Sequence, residues 1–100
     1  MLDAPWQSRP DRSRFRGSLS AGGERWEIYF VEVRRTDRDW VVDCMVIGSR
    51  SMHVTIRCHA DGNHYHTAQR VMSALRAWLE RGDACDAEYL EVPQTFERVS

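Results

Sequence analysis

The stretch Met52-His53-Val54-Thr55-Ile56-Arg57-Cys58-His59 alternates without a fault. Met52, Val54, Ile56 and Cys58 fall on one side, and His53, Thr55, Arg57 and His59 on the other. Side chains along a β-strand repeat every two residues, so this is a half-buried strand with one dry and one wet face. Its parity constrains its neighbours, because a one-residue slip would turn a whole apolar set toward solvent.

Residues 39–48 form a preceding strand, joined to the first through Ser49-Arg50-Ser51. A three-residue loop there sets Val46 opposite Val54, Cys44 opposite Ile56 and Val42 opposite Cys58. On the other face it sets Asp43 opposite Arg57, an opposite-charge cross-strand pair. Another strand covers about residues 24–35 and ends in the polar turn Thr36-Asp37-Arg38-Asp39. Before it, Phe15-Arg16-Gly17-Ser18-Leu19-Ser20 reads as a short strand, and Gly22-Gly23 suits a two-residue primed turn with positive φ. That turn pairs Ala21 with Glu24, Leu19 with Trp26, Gly17 with Ile28 and Phe15 with Phe30.

Beyond the quoted strand, His59-Ala60-Asp61-Gly62-Asn63 is a turn cluster in which Asn63 suits a helix N-cap. Tyr65, Ala68, Met72, Leu75 and Leu79 then follow spacings of three and four, with Val71 and Trp78 beside them. This is the apolar stripe of an amphipathic helix, which Gly82 stops. The tail, residues 84–100, carries Tyr89, Leu90, Val92 and Phe96 around Pro93 and fits either a short strand or a packed extended segment. The predicted fold is α+β: a four-stranded antiparallel β-meander with one C-terminal amphipathic helix packed on one face (β-β-β-β-α), and a short C-terminal tail. Residues 1–12 read as a flexible N-terminal arm and residues 13–83 as a single domain. The core face takes Phe15, Leu19, Trp26, Ile28, Phe30, Trp40, Val42, Cys44 and Val46 together with the apolar side of the quoted strand. Glu32 is its one polar blemish.

A chain of 100 residues with 42% apolar content and four Trp can build a modest core without staples. No apolar run is long enough to cross a bilayer, and no membrane contact is expected. The first ten residues lack an apolar leader core, and the three cysteines have no CxxC spacing. Reduced thiols and a cytoplasmic location are the expectation. All 14 basic residues are arginine, scattered among 15 acids, which fits codon bias better than selection for anion forks. The net charge of −1 disfavours a general nucleic-acid binder.

One helix covers one face of a sheet. On the other face the alternation places Tyr29, Val31, Val33, Val41, Met45 and Ile47 in the middle, with Arg14, Arg16, His53, Arg57 and His59 at the margins. A contiguous apolar patch of that kind calls for a cover. Three covers suit it: the protein's own tail, a protein partner (most simply a second copy packing sheet to sheet), or single-stranded nucleic acid. For a protein partner the contacts are Tyr29, Val31, Val33, Val41, Met45 and Ile47. For nucleic acid, Tyr29 is the stacking platform and Arg14, Arg16, His53, Arg57 and His59 reach phosphates.

Catalytic and metal chemistry find little footing. His53 and His59 share a face but lie about 20 Å apart at strand rise. His64 and His66 diverge around a helix, which leaves His59, Asp61 and His64 as the one compact set. Cys44 and Cys58 face the core, and Cys85 lies in an acidic loop. No glycine-rich phosphate loop and no Ser-His-Asp set can be assembled. No metal and no cofactor are expected. The free N–H groups after Asn63, beside His64 and His66, could hold an anion. The strand–strand–strand–helix portion superficially resembles a double-stranded-RNA-binding domain. The leading helix of that family is missing, and the lysine-rich start of its last helix has no counterpart in a lysine-free chain, so its function is not carried over. The expectation is a small non-enzymatic binding protein acting through the open sheet face, with a single-stranded nucleic-acid module as the alternative.

Overall fold

The computed structural model of this chain describes residues 10–60 and 64–92. Five strands and one helix follow in the order β1 (Phe15–Ala21), β2 (Glu24–Arg35), β3 (Asp39–Ile47), β4 (Ser51–His59), α1 (His64–Glu80) and β5 (Glu88–Val92). A 3₁₀ turn, Arg12–Arg14, precedes β1, and the Asp11 carboxylate caps it by accepting the Ser13 N–H at 3.1 Å. The four-strand antiparallel meander followed by a helix is as the sequence predicts. The strands lie in the order β1-β2-β3-β4-β5 in one open sheet.

The β1–β2 hairpin closes through Gly22 and Gly23 with φ of 62° and 78°, the left-handed values that a two-residue primed turn needs. Ala21↔Glu24, Leu19↔Trp26 and Gly17↔Ile28 pair as expected. The ladder then shifts between Phe15 and Gly17, and Phe15 pairs with Tyr29 instead of Phe30. The extra residue turns Phe15 to the face opposite the helix, where its ring meets Tyr29 edge-on at 5.4 Å.

A second shift in β2 lies between Phe30 and Glu32 and leaves Val31 without a ladder partner. It removes the blemish of Glu32. That carboxylate now pairs across from Asp43 on the face away from the helix and meets Arg34 at 3.3 Å, while Val33 pairs with Val42 on the helix side. A strict alternation would have buried Glu32; one extra residue costs less than a buried unpaired charge.

Between β3 and β4 the observed pairs are Val46↔Met52, Cys44↔Val54, Val42↔Ile56, Trp40↔Cys58 and Asp43↔Thr55. This is two residues away from the expected register. Every side chain keeps its predicted face, but the loop is Gly48-Ser49-Arg50. Gly48 is held there by close approach: a Cβ at this position would lie 2.6 Å from Cε3 of Trp26. Glu24 fastens the same loop, its carboxylate accepting from the Ser49 N–H and, at 3.2 Å, from the Ser49 hydroxyl.

Helix α1 packs against β1, β4 and β5. It buries Thr67, Val71, Leu75, Trp78 and Leu79, with Ala68 and Met72 partly buried beside them. Each large apolar side chain buried this way contributes about 1.5–3 kcal/mol relative to exposure. The stripe is rotated from the expected one, and Tyr65 stays 73% exposed. The proposed N-cap, Asn63, lies outside the described residues.

The tail does not lie over the open face within the described residues. Residues 88–92 add a fifth strand parallel to β4, with Ile56↔Leu90 and Cys58↔Val92 in register, and these two side chains join the core under the helix. Parallel neighbours need a crossover, and α1 supplies it. Trp78 Nε1 donates to Glu88 Oε1 at 3.1 Å, and Glu88 Oε2 accepts the Cys85 N–H at 2.9 Å. Asp86 accepts the His53 N–H at 2.6 Å. These three bonds tie the entry of β5 to both the helix and β4. Phe96 lies outside the described residues.

Candidate functional site

The face away from the helix differs from its sequence reading. Tyr29 sits at its centre and is fully buried, with the Phe15 ring against it. The Tyr29 hydroxyl donates to Glu27 at 3.0 Å and accepts from Arg12 at 3.5 Å. Met45 is 7% exposed. Val41 and Ile47 are half-buried on this face, and Val31 is the half-buried bulge residue. Val33, placed here by alternation, lies on the helix side because the bulge reverses parity after Phe30. The six expected partner contacts therefore divide: two are already covered, one is on the other face, and three remain partly open.

The nucleic-acid set divides too. Arg14 is exposed in the 3₁₀ turn, and Arg16, within the β1 bulge, turns to the helix side with its guanidinium over the Phe30 ring at 5.3 Å. Tyr29 has no ring surface to stack on. Arg57 gives its Nε to Asp39 at 2.6 Å. Asp39, then the Tyr89 hydroxyl, hold its guanidinium protonated beyond its already high ordinary range. His59 Nδ1 is 3.8 Å from the same Asp39 carboxylate. His53 Nδ1 lies 3.4 Å from Asp86, whose carboxyl is held below the usual range chiefly by the His53 backbone N–H. Arg34 binds Asp43, which also accepts from Thr55. A lattice of neutralised pairs therefore occupies much of the face on which phosphate contacts were expected.

The histidine set does not converge. His59 belongs to the Asp39 side of the sheet, whereas His64 meets the Trp40 ring edge-on at 5.0 Å. Asp61 lies outside the described residues. No cluster of three His, Cys, Asp or Glu suited to a metal occurs among the described residues. Cys44 and Cys58 are buried, and burial, with Asp43 nearby, pushes the Cys44 thiol up to about 12. Cys85 is exposed. No described helix is long and apolar enough to cross a membrane.

A concave apolar surface lies on the helix side, at one end of the layer. β1 accompanies β2 only as far as Tyr29, so the β2–β3 hairpin runs on beyond it. α1 starts at this end, just after β4 closes against the same hairpin through the Ala60 N–H to Arg38 carbonyl bond of 2.8 Å. A cavity of about 320 Å³ opens between them. Phe30, Trp40 and Val42 line it from the sheet, and Ala68 and Val71 from the helix. Arg16, Val33, His64, Tyr65 and Thr67 complete it. Val33 at 45% and Tyr65 at 73% are two of the three exposed large apolar side chains among the described residues.

The sequence reading missed this site because two of its walls depend on the bulges. Had the Glu32 blemish been treated as a parity break, Val33 would have joined Phe30 and Val42 on the helix side. Chemically, the cavity offers aromatic and aliphatic walls, a guanidinium at Arg16, and no carboxylate among its lining residues. Comparisons with protein-family models, curated proteins and solved structures gave no match.

Proposed function

We propose that this chain is a small non-enzymatic binding protein whose ligand site is the cavity between the start of α1 and the projecting β2–β3 hairpin. The observation that carries this reading is a concavity of about 320 Å³ walled by Phe30, Trp40, Val42, Ala68 and Val71. Small-molecule sites are apolar clefts of roughly 300–1,000 Å³ with few polar groups, and this one falls at the lower end. The test is a titration with 1-octanol followed by amide NMR. Saturable shifts confined to Trp40, Val42 and residues 64–71 are expected, and Ala68→Leu, which fills the cavity, should remove them. Shifts that do not saturate, or that survive Ala68→Leu, would refute the reading.

A second reading keeps the face away from the helix as a contact for another copy of this chain. It is favoured by Val31, Val41 and Ile47, which stay partly open around the buried Tyr29 and Met45. Light scattering over a concentration series tests it. A dimer lost in Ile47→Glu would support it, and a strict monomer would remove it.

A further inference from the structure

The chemistry around the cavity is one-sided, and this sets the class of ligand. Arg16 lines it and rests over Phe30 with 5.3 Å from the guanidinium carbon to the ring centre. Arg35 lies in the same way over Trp40, at 5.2 Å. Among the described residues neither guanidinium has a carboxylate within ion-pair distance, whereas Arg57 has one and Arg34 and Arg81 have two each. Two cations are thus held by aromatic faces at one end of the molecule. Arg35 gives its Nε to the Thr36 carbonyl at 3.1 Å, so Arg16 is the guanidinium whose N–H edge is turned to a planar acceptor at the cavity. The first turn of α1 adds its positive end on the same side, since His64, Tyr65, Thr67 and Ala68 all line the cavity. The lining contains no Asp or Glu to oppose an anion.

Building on the cavity reading, we propose that the site takes an amphipathic carboxylate, an alkyl or aryl chain ending in one carboxyl group. The apolar body fills the space between Trp40, Val42 and Val71, and the carboxylate meets the Arg16 fork at the mouth. A cleft of about 320 Å³ lies at the small end of small-ligand sites, which suits a short chain of about eight carbons. Neutral chains of the same length gain only the apolar contacts, and cationic ones face Arg16 and the helix start.

The experiment compares octanoate, 1-octanol and octyltrimethylammonium on the full chain and on Arg16→Gln, reading the Trp40 indole and amides 64–71 by NMR. Octanoate should bind the unaltered protein about tenfold more tightly than octanol, and octyltrimethylammonium least tightly. Arg16→Gln should abolish the preference, bringing the ratio of octanoate to octanol affinity from about tenfold to about one. Arg16 is exposed, so the variant should keep its fold, which the unshifted core amides of β3 and β4 will verify. Equal binding of all three probes, or an octanoate affinity unmoved by Arg16→Gln, would overturn the carboxylate assignment while leaving the cavity reading intact. Absence of saturable shifts with every probe would overturn both.

Discussion

Gly48→Ala should be one of the most damaging single-methyl additions in this protein. A Cβ on Gly48 would fall 2.6 Å from Cε3 and 2.9 Å from Cδ2 of Trp26, and 2.7 Å from a carboxylate oxygen of Glu24. The Glu24 carboxylate is the far end of a flexible side chain and can swing away, at the loss of its bonds to Ser49. The indole cannot. It is only 6% exposed, packs in the core and gives its Nε1 to the Ala21 carbonyl at 3.3 Å. Relief must therefore come from the β3–β4 loop or from an off-rotamer Trp26. Overpacking of this kind costs about 1–3 kcal/mol, and one or two weakened hydrogen bonds bring the expectation to about 2–3 kcal/mol. For a domain of this size that lowers Tm by about 10–20 °C. Urea unfolding should show a lower midpoint at constant m. A second background separates the cause: in Trp26→Leu the ring is gone, and the added cost of Gly48→Ala should shrink by more than about 1 kcal/mol. A cost below about 0.5 kcal/mol in the wild-type background, or one unchanged by Trp26→Leu, would refute the collision and with it the placement of the loop at Gly48-Ser49-Arg50.

Two further outcomes test other parts of the structure. Burial raises the Cys44 thiol from 9.0 to about 12, so its neutral form is favoured by folding. That contribution is fully present below pH 9 and is lost as pH rises toward 12, with a slope approaching 1.4 kcal/mol per pH unit. Cys44→Ala should flatten that part of the stability profile measured by urea unfolding; an unchanged slope would contradict the burial. Trp78→Phe removes the indole N–H that meets Glu88, and should speed hydrogen exchange of amides 88–92 more than those of β3. Equal acceleration across the sheet would mean that β5 is not held separately by this strut.

The alternation of β4, the Gly22-Gly23 hairpin and the three-and-four spacing of α1 determine an α+β meander capped by one helix. Each is a local periodicity tied to the geometry of one element, and a local pattern can be read without knowing what packs on it. Periodicity of two fixes which face a side chain takes but not its partner, so the two-residue offset between β3 and β4 left no trace in the pattern. It was decided by Trp26, a residue of β2, packing against Gly48. The bulges at Arg16 and Val31 reverse parity, and with it the faces of Phe15, Glu32 and Val33. Glu32 hinted at the second of them, as an acid on a dry face. The fifth strand is parallel to β4 and depends on contacts across α1, which no window of sequence contains. The candidate site follows from these choices. The residues read as an open apolar face include a buried Tyr29 and Met45, and the apolar opening moved to the helix side. Where a cavity forms depends on how far each element extends past its neighbour, and only packing in three dimensions sets that.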